Sequence, residues 1–259
     1  MTETAHSNEN AHPLSNWKFC YLCGSELRVK DNSAKQCINE TDCKTLFFKN
    51  PSPSISAFIT DKEGRLLLGE RAREPRKGQM GVIGGFIDIG QDQKGETSNV
   101  ALRREVFEET GLELEGWQHF CDETNVYQFG KRVEITNDTY CLAKAVNIGE
   151  MKPNSEISNH VWLHPEEIDF SKFAFESAKK AVSKWVEYRK NLATLQDLFP
   201  AVHEDALTRL IVTEQRNLGE SNNTHAALPV NNNVVENVAE TLAMIAGAVP
   251  YSTLKKHAR

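Results

Sequence analysis

No stretch of the 259-residue sequence approaches the ~20 consecutive apolar residues that a membrane-spanning helix needs, so no such span is predicted. Basic residues are also in deficit. Thirty Lys and Arg face 36 Asp and Glu, for a net charge of −6, which leaves no global positive field to attract nucleic acid. The first fifteen residues are polar and lack arginine, unlike a secretory signal or an organellar transit peptide. A cytoplasmic location is the default expectation, with the nucleus as the second. Hydrophobic residues make up 39%, low for a chain that is globular throughout, and this favours polar tails.

The six cysteines are unevenly spread. Four fall early, as Cys20-x2-Cys23 and, after a thirteen-residue gap, Cys37-x5-Cys43. Two thiolate pairs separated by a short hairpin suit tetrahedral Zn²⁺. Gly24 permits a tight turn after the first pair; the second pair is wider than the usual two-residue spacing. Reduced cysteines without a metal are the bland alternative, and a disulfide framework does not suit a reducing compartment. Cys121 and Cys141 sit in apolar, strand-like surroundings and read as sheet residues. A zinc ribbon can bind nucleic acid, but Lys18, Arg28, Lys30, Lys35 and Lys44 are diluted by Glu26, Asp31, Glu40 and Asp42. A structural or dimer-forming role fits better.

The densest chemistry lies between Gly90 and Leu112. Gly90 is followed after five residues by Glu96, then after seven by Arg104-Glu105-Val106-Phe107-Glu108-Glu109-Thr110-Gly111-Leu112. Thr97 or Ser98 is the expected N-cap, and Gly111 the left-handed stop. At about 100° per residue, Glu105, Glu108 and Glu109 share an arc roughly 100° wide, flanked by Arg104. Leu102 and Val106 fall to one side, ready for a core. Three like charges this close repel unless a divalent cation joins them, and Mg²⁺ prefers oxygen ligands and bridges substrate phosphates. A charge run is ordinarily a solvated helix face. Gly90, Glu96, Arg104 and Gly111 in register favour the metal reading here.

The pattern G-x5-E-x7-R-E-V-x-E-E-x-G-L resembles the Nudix box of the Nudix hydrolases. The resemblance implies an α/β/α sandwich with a mixed sheet, covering roughly 17–195. It implies that Glu105, Glu108 and Glu109 hold Mg²⁺ or Mn²⁺ and that Glu96 pairs with Arg104, making all five candidate catalytic residues. The early cysteines followed by Asn50-Pro51 resemble the zinc-ribbon group of the family, which acts on NADH, FAD or ADP-ribose. An S-Q-P-W run after the box, usual in NADH-directed members, is missing between Glu115 and Lys131. Most members also read G-G-F-x-E-x-G-E, whereas Gly84-Gly85-Phe86-Ile87-Asp88-Ile89-Gly90-Gln91 departs at its end. An insertion of five residues before Gly95-Glu96 accounts for this, with Gly90 matching the spacing partly by chance. Upstream, Met80 and Ile83 stand where members often carry an aromatic residue and a proline.

The expected organisation is a disordered tail over 1–16, a zinc ribbon over 17–50 and a Nudix domain over 51–195. An extension over 196–259 follows, with an Asn-rich linker at 219–233 and a helix after it. Strands are predicted at 54–60, 65–70, 78–86, 126–129, 132–136, 139–146 and 161–163, with helices at 177–195 and 196–218. Arg71 and Gly85 are candidate substrate-binding residues, joined by Arg73 for phosphates and Tyr127 and Phe129 for a base, with Glu156 as an outlying candidate metal ligand or base. Arginines at the surface are more often solvated, and aromatics at period two are more often sheet core. The expected activity is metal-dependent cleavage of a nucleoside diphosphate linked to another moiety, FAD or ADP-ribose leading. The alternative is a Nudix-fold binding or regulatory module with little turnover. The expected partner is a small nucleotide, with no membrane and no nucleic acid; a homodimer is the assembly common among Nudix relatives.

Overall fold

The computed structural model describes residues 13–89, 94–129, 132–146, 148–149, 151–221 and 233–245. Gly90 and most of the inserted segment, residues 1–12 of the expected tail, the linker's centre and the side chain of Phe129 lie outside the described residues. The chain forms two compact units, Met1–Ala181 and Val182–Arg259. No helix among the described residues is long and apolar enough to cross a membrane.

The first unit opens with a 3-10 turn at Pro13–Asn16, inside the stretch expected to be tail. Leu14 is buried there, and Lys35 Nζ donates to the carbonyls of Ser15 and Trp17 at 2.9 and 2.6 Å. A three-stranded antiparallel sheet follows: β1 (Leu27–Asp31), β2 (Ala34–Cys37) and β3 (Leu46–Phe48). Gly24, read as permitting a tight turn, is left-handed at φ 73°. The wide second knuckle closes differently. The amides of Cys43 and Lys44 both donate to the Asn39 carbonyl, at 3.3 and 2.8 Å, while Lys44 itself turns left-handed. Five intervening residues therefore still return Cys43 to Cys37.

The next elements are β4 (Ser52–Ile59), β5 (Leu66–Arg71), β6 (Met80–Gly81), β7 (Ile83–Phe86) and α1 (Ser98–Thr110). After α1 come β8 (Leu114–Phe129), β9 (Arg132–Ala145) and β10 (Ile157–Leu163). One sheet runs β7-β4-β9-β8 and another β10-β5-β6. Only the β4–β9 pair is parallel, which makes the larger sheet mixed. A turn over 61–64 links β4 to β5: Asp61 accepts from the Arg65 amide at 2.8 Å and Gly64 is left-handed.

Strand alternation gives the larger sheet two different faces. Ile55, Ala57, Ile59, Cys141 and Ala143 are buried in one core with Ala101, Leu102 and Val106 of α1. At about 25 cal/mol per Å² of apolar surface, this packing is what makes α1 a fixed part of the fold. The intervening residues of β4 and β9, namely Ser54, Ser56, Thr136, Asp138 and Tyr140, point the other way.

The strands predicted at 132–136 and 139–146 are a single strand. Asn137 and Asp138 read as a break, yet they pair in register with Pro53 and Ser54 of β4. Ser54 Oγ donates to Asp138 Oδ1 at 2.6 Å, so the polar side chain finds its partner within the sheet. β8 likewise starts twelve residues before the 126–129 prediction, with irregularities near Gly116 and Phe120. Alternating polar residues concealed both strands.

Helix α2 (Glu176–Leu198) runs three residues beyond the expected end at 195 and across the division between units. Within the second unit, α3 (Glu204–Ser221) and α4 (Asn233–Ile245) pack together. Leu207, Ile211, Val234, Val238 and Ala239 are buried there, and Tyr188 Oη meets Thr208 Oγ1 at 2.8 Å. The helix predicted at 196–218 begins instead at Glu204, because residues 196–198 complete α2. Helical structure also reaches Ser221 and resumes at Asn233, narrowing the expected linker from both sides.

Candidate active site

Helix α1 starts and stops where its sequence directs. Thr97 is the N-cap, its hydroxyl accepting from the Val100 amide at 3.4 Å, and Gly111 ends the helix at φ 74°. Arg104 is the hub of its polar face. Its Nε and Nη2 donate to the two carboxylate oxygens of Glu96 at 2.8 and 2.9 Å, the bidentate pairing of a planar guanidinium. Nη2 also reaches the Phe86 carbonyl, and Nη1 bridges Glu105 and Glu108 at 2.8 and 3.1 Å.

The inserted segment is pinched at its base. The Glu96 amide donates to the Asp88 carbonyl at 2.9 Å, and the Asp88 amide donates to Glu96 Oε2 at 3.1 Å. Glu96 is thereby presented to Arg104 despite the extra residues. Gly85 packs directly against the box helix. A Cβ at Gly85 would lie 2.5 Å from Glu105 Oε1. Gly85 thus makes room for a catalytic candidate, a role the substrate-binding expectation did not include. Its neighbour Gly84 supplies an amide to Glu109 Oε2 at 2.9 Å.

Burial sets the charges of these groups apart. The hydrogen bonds from Arg104 pull Glu96 down to about 2, and the carboxylates around Arg104 push its own pKa up. Desolvation raises Glu105, against the pull of Arg104. Desolvation, aided by the charges of Glu105 and Glu156, lifts Glu109 to about 8 although the Gly84 amide opposes it. Glu108 is the exposed member, so the arc predicted as uniform has a buried end and a wet end.

Two residues with no sequence signal brace the end of α1. Asn154 Nδ2 donates to the carbonyls of Glu108 and Glu109 at 3.1 and 2.8 Å. Its Oδ1 accepts from the amides of Glu156 and Ile157, both at 2.8 Å. His160 Nε2 meets the Glu109 carbonyl at 2.9 Å. These contacts satisfy carbonyls that a helix end leaves without partners. They also tie the Glu156 loop to the glutamate helix.

A cavity of about 360 Å³ opens over this face, lined by Glu105, Glu108, Glu109 and Glu156 together with Arg71 and Arg73. Arg73 pairs with Glu156 at 2.6 Å. Arg71 donates to the Pro75 carbonyl at 3.0 Å and lies 5.0 Å from the Phe175 ring centre. Tyr127 also lines the cavity, 5.8 Å from Phe86 and 5.0 Å from Phe175 between ring centres. The fold therefore gathers Arg71, Arg73, Tyr127 and Glu156, for which the plain surface or core reading was favoured, around one space.

The donor chemistry fits a hard divalent cation: oxygen ligands only, two of them buried, on one helix face. They are not drawn to coordinating distance of one another. Among the described residues, the group of three or more metal-ligating side chains within 4.8 Å is Cys20, Cys23, Cys37 and Cys43. Arg104 Nη1, seated between Glu105 and Glu108, supplies positive charge where a metal would otherwise do so. The four thiols are the more preorganised set. Their Sγ separations include 3.4 Å for Cys23–Cys37 and 3.7 Å for Cys20–Cys43, near the ~3.8 Å edge of a tetrahedron with ~2.3 Å Zn–S bonds. Hydrogen bonds from Ser25 bring the Cys23 thiol down to about 6, towards the thiolate that binds zinc.

The mixed sheet, the Glu96–Arg104 brace and the carboxylate helix are the arrangement of a Nudix domain, with a four-cysteine zinc-ribbon-like segment before it. The NUDIX domain profile matches residues 50–186, more than half of the chain, and the protein belongs to that family. It is 30% identical over 156 residues to the NAD-capped RNA hydrolase NudC of Vibrio vulnificus (strain CMCP6), a match covering 59% of this chain and 52% of that protein. It is 30% identical over 189 residues to Nudix hydrolase 19, chloroplastic, of Arabidopsis thaliana, covering 70% of this chain and 38% of that one. The chain thus spans about half the length of its NudC relatives. A NUDIX hydrolase from Nitrosomonas europaea is similar in structure, with a TM-score of 0.48 and 23% identity over 67% of this chain and 93% of that one.

Proposed function

We infer that this chain hydrolyses the diphosphate bond of a nucleoside diphosphate linked to a second moiety, with FAD and ADP-ribose as the leading substrates. The observation that carries the reading is the shared cavity of buried Glu105 and Glu109 with exposed Glu108 and the two arginines Arg71 and Arg73. Glu105, Glu108 and Glu109 would hold Mg²⁺ or Mn²⁺, and such an ion neutralises diphosphate charge and acidifies a water. Arg104 orients Glu105 and Glu108 and ties them to Glu96 and the Phe86 carbonyl. Arg71 and Arg73 offer positive charge to the phosphates from the opposite wall. Glu109 holds a proton near neutrality and releases it when a cation replaces that proton.

Cys20, Cys23, Cys37 and Cys43 would hold a structural Zn²⁺ in a ribbon assigned to 17–50, ahead of a Nudix domain assigned to 51–195. The relatives' names add NAD and NAD-capped RNA to the compounds worth testing. Against both stand the missing S-Q-P-W run and the acidic net charge. The altered loop before Glu96 favours the second reading, a nucleotide-binding module with little turnover.

One assay separates these readings. Purified protein with Mn²⁺ or Mg²⁺ is offered FAD, ADP-ribose, NADH, NAD-capped RNA and dinucleoside polyphosphates. Metal-dependent release of a nucleoside monophosphate that Glu109→Gln abolishes is the expected result. Nucleotide binding without turnover across the panel would sink the hydrolase reading and leave the binding module.

A further inference from the structure

The cavity extends beyond the carboxylates onto the polar face of the larger sheet. In-register pairing sets Phe86, Ser54 and Asp138 in one row across β7, β4 and β9, and Ser52, Thr136 and Asn125 in the next across β4, β9 and β8. Of these, Ser54, Phe86, Asn125, Thr136 and Asp138 line the cavity. The trough is also roofed. Phe86 and Tyr127 stand on the two edge strands, which in a flat four-stranded sheet would lie ~14 Å apart. Their ring centres are 5.8 Å apart, so the two side chains reach towards one another from opposite edges of the sheet.

Two buried groups in this trough are incompletely used. Asp138 is 9% exposed and accepts one hydroxyl hydrogen bond, from Ser54, whereas a carboxylate has room for about four. Thr136 is 2% exposed, and its Oγ1 has no hydrogen-bond partner among the described residues. A buried polar atom is costly when unpaired, so Thr136 Oγ1, with Asp138 beside it in the same cavity wall, marks a place for a ligand's complementary atoms. Their chemistry is selective. A buried carboxylate repels phosphate and accepts from hydroxyls or amines. The aromatic pair above suits a flat ring.

We propose that this trough is the subsite for the nucleoside half of the substrate, with Asp138 and Thr136 as specificity-determining acceptors for its uncharged hydrogen-bond donors. The placement rests on the hydrolase reading for the position of the phosphates. The donors are ribose hydroxyls or an exocyclic base amine, and the second moiety then lies towards the open mouth beside Arg73. A site built to receive a hydroxyl or an amine rejects the analogue that lacks it, because its own buried acceptors are left unpaired.

The test uses equilibrium binding, independent of turnover. AMP, IMP and 2′,3′-dideoxy-AMP are titrated into the full chain and into Asp138→Asn and Thr136→Val. The wild type is expected to bind AMP at least tenfold tighter than one of the two analogues. Preference against IMP assigns the base amine, and preference against the dideoxy compound assigns the ribose. Asp138→Asn keeps an oxygen for Ser54, so the fold is expected to survive. It should weaken AMP about tenfold and the rejected analogue less than twofold; Thr136→Val should do the same more weakly. Equal weakening of all three ligands, no discrimination by the wild type, or no binding at all overturns the subsite. If discrimination holds while no diphosphate is hydrolysed, the hydrolase reading alone fails. If hydrolysis proceeds while Asp138→Asn affects every ligand alike, the subsite alone fails.

Discussion

Replacing Gly85 with alanine separates catalytic geometry from stability. A Cβ there would stand 2.5 Å from Glu105 Oε1 and 2.6 Å from its carboxyl carbon, with the other carboxylate oxygen at 2.8 Å. All three atoms belong to the far end of one side chain. To regain 3.0–3.4 Å, the Oε1 atom must retreat by roughly 0.5–0.9 Å. That movement costs the fold little, about 0.5–1.5 kcal/mol of side-chain strain, or a few degrees in Tm. For a group that must be placed accurately, a misplacement near 1 Å costs ~10²-fold in rate. The expected outcome is a 30- to 100-fold lower kcat/KM, roughly the range of that estimate, and weaker Mn²⁺ binding in a protein that melts almost normally. Gly84→Ala is the contrast. At φ 145° its new Cβ meets the Ile55 carbonyl oxygen and, at 2.5 Å, the Ser56 Cα, neither of which can rotate away. That variant should lose stability first. Thermal melts, Mn²⁺ titration and initial rates on whichever of FAD or ADP-ribose is turned over provide the readouts. Wild-type kcat/KM in Gly85→Ala, or melting as early as in Gly84→Ala, would refute the reasoning.

Three further outcomes follow from the geometry. Glu109 sits at about 8 in the metal-free protein against an ordinary value of 4.5, so the native state holds the extra proton between those values. Metal-free stability therefore falls as pH rises through that window, while metal binding at pH 7 releases about one proton and tightens towards pH 8. Calorimetry in buffers of different ionisation enthalpy measures the proton, and Glu109→Gln should abolish its release. Asn154→Ala removes two hydrogen bonds at the end of α1 and two to the Glu156 and Ile157 amides, and should cost about 1–2 kcal/mol. A melt unchanged within error would show that the bridge carries no stability. Cys20→Ser should lower bound zinc from about one ion per chain to near zero, measured by elemental analysis. Retention of a full equivalent would reject the four-thiol site.

The box helix was legible because everything that forms it is local. Thr97, Gly111, Leu102, Val106 and the three glutamates act at helical spacing, and the structure keeps the two caps and the two core residues in the roles their positions implied. Four cysteines and the flanking Gly24 likewise declared themselves by spacing. The packing of Gly85 against Glu105 was not readable, because it joins β7 to a helix face twenty residues on. β8 and β9 were read as fragments because Asn137 and Asp138 look like a break to a local window. Their partners, Pro53 and Ser54, are more than eighty residues away.

By itself, then, the sequence determined the family, the carboxylate helix with its Glu96–Arg104 brace, and the four-thiol cluster, since each depends on neighbours within a few turns or one hairpin. Tertiary structure alone decided which carboxylates are buried, that Asn154 and His160 brace the helix end, and that Asp138, Thr136, Tyr127 and Phe86 line one trough. The trough arises from parallel pairing of β4 with β9 and the approach of Phe86 and Tyr127 from opposite edges of the sheet. Both are set by contacts between distant segments, whose register no local pattern encodes.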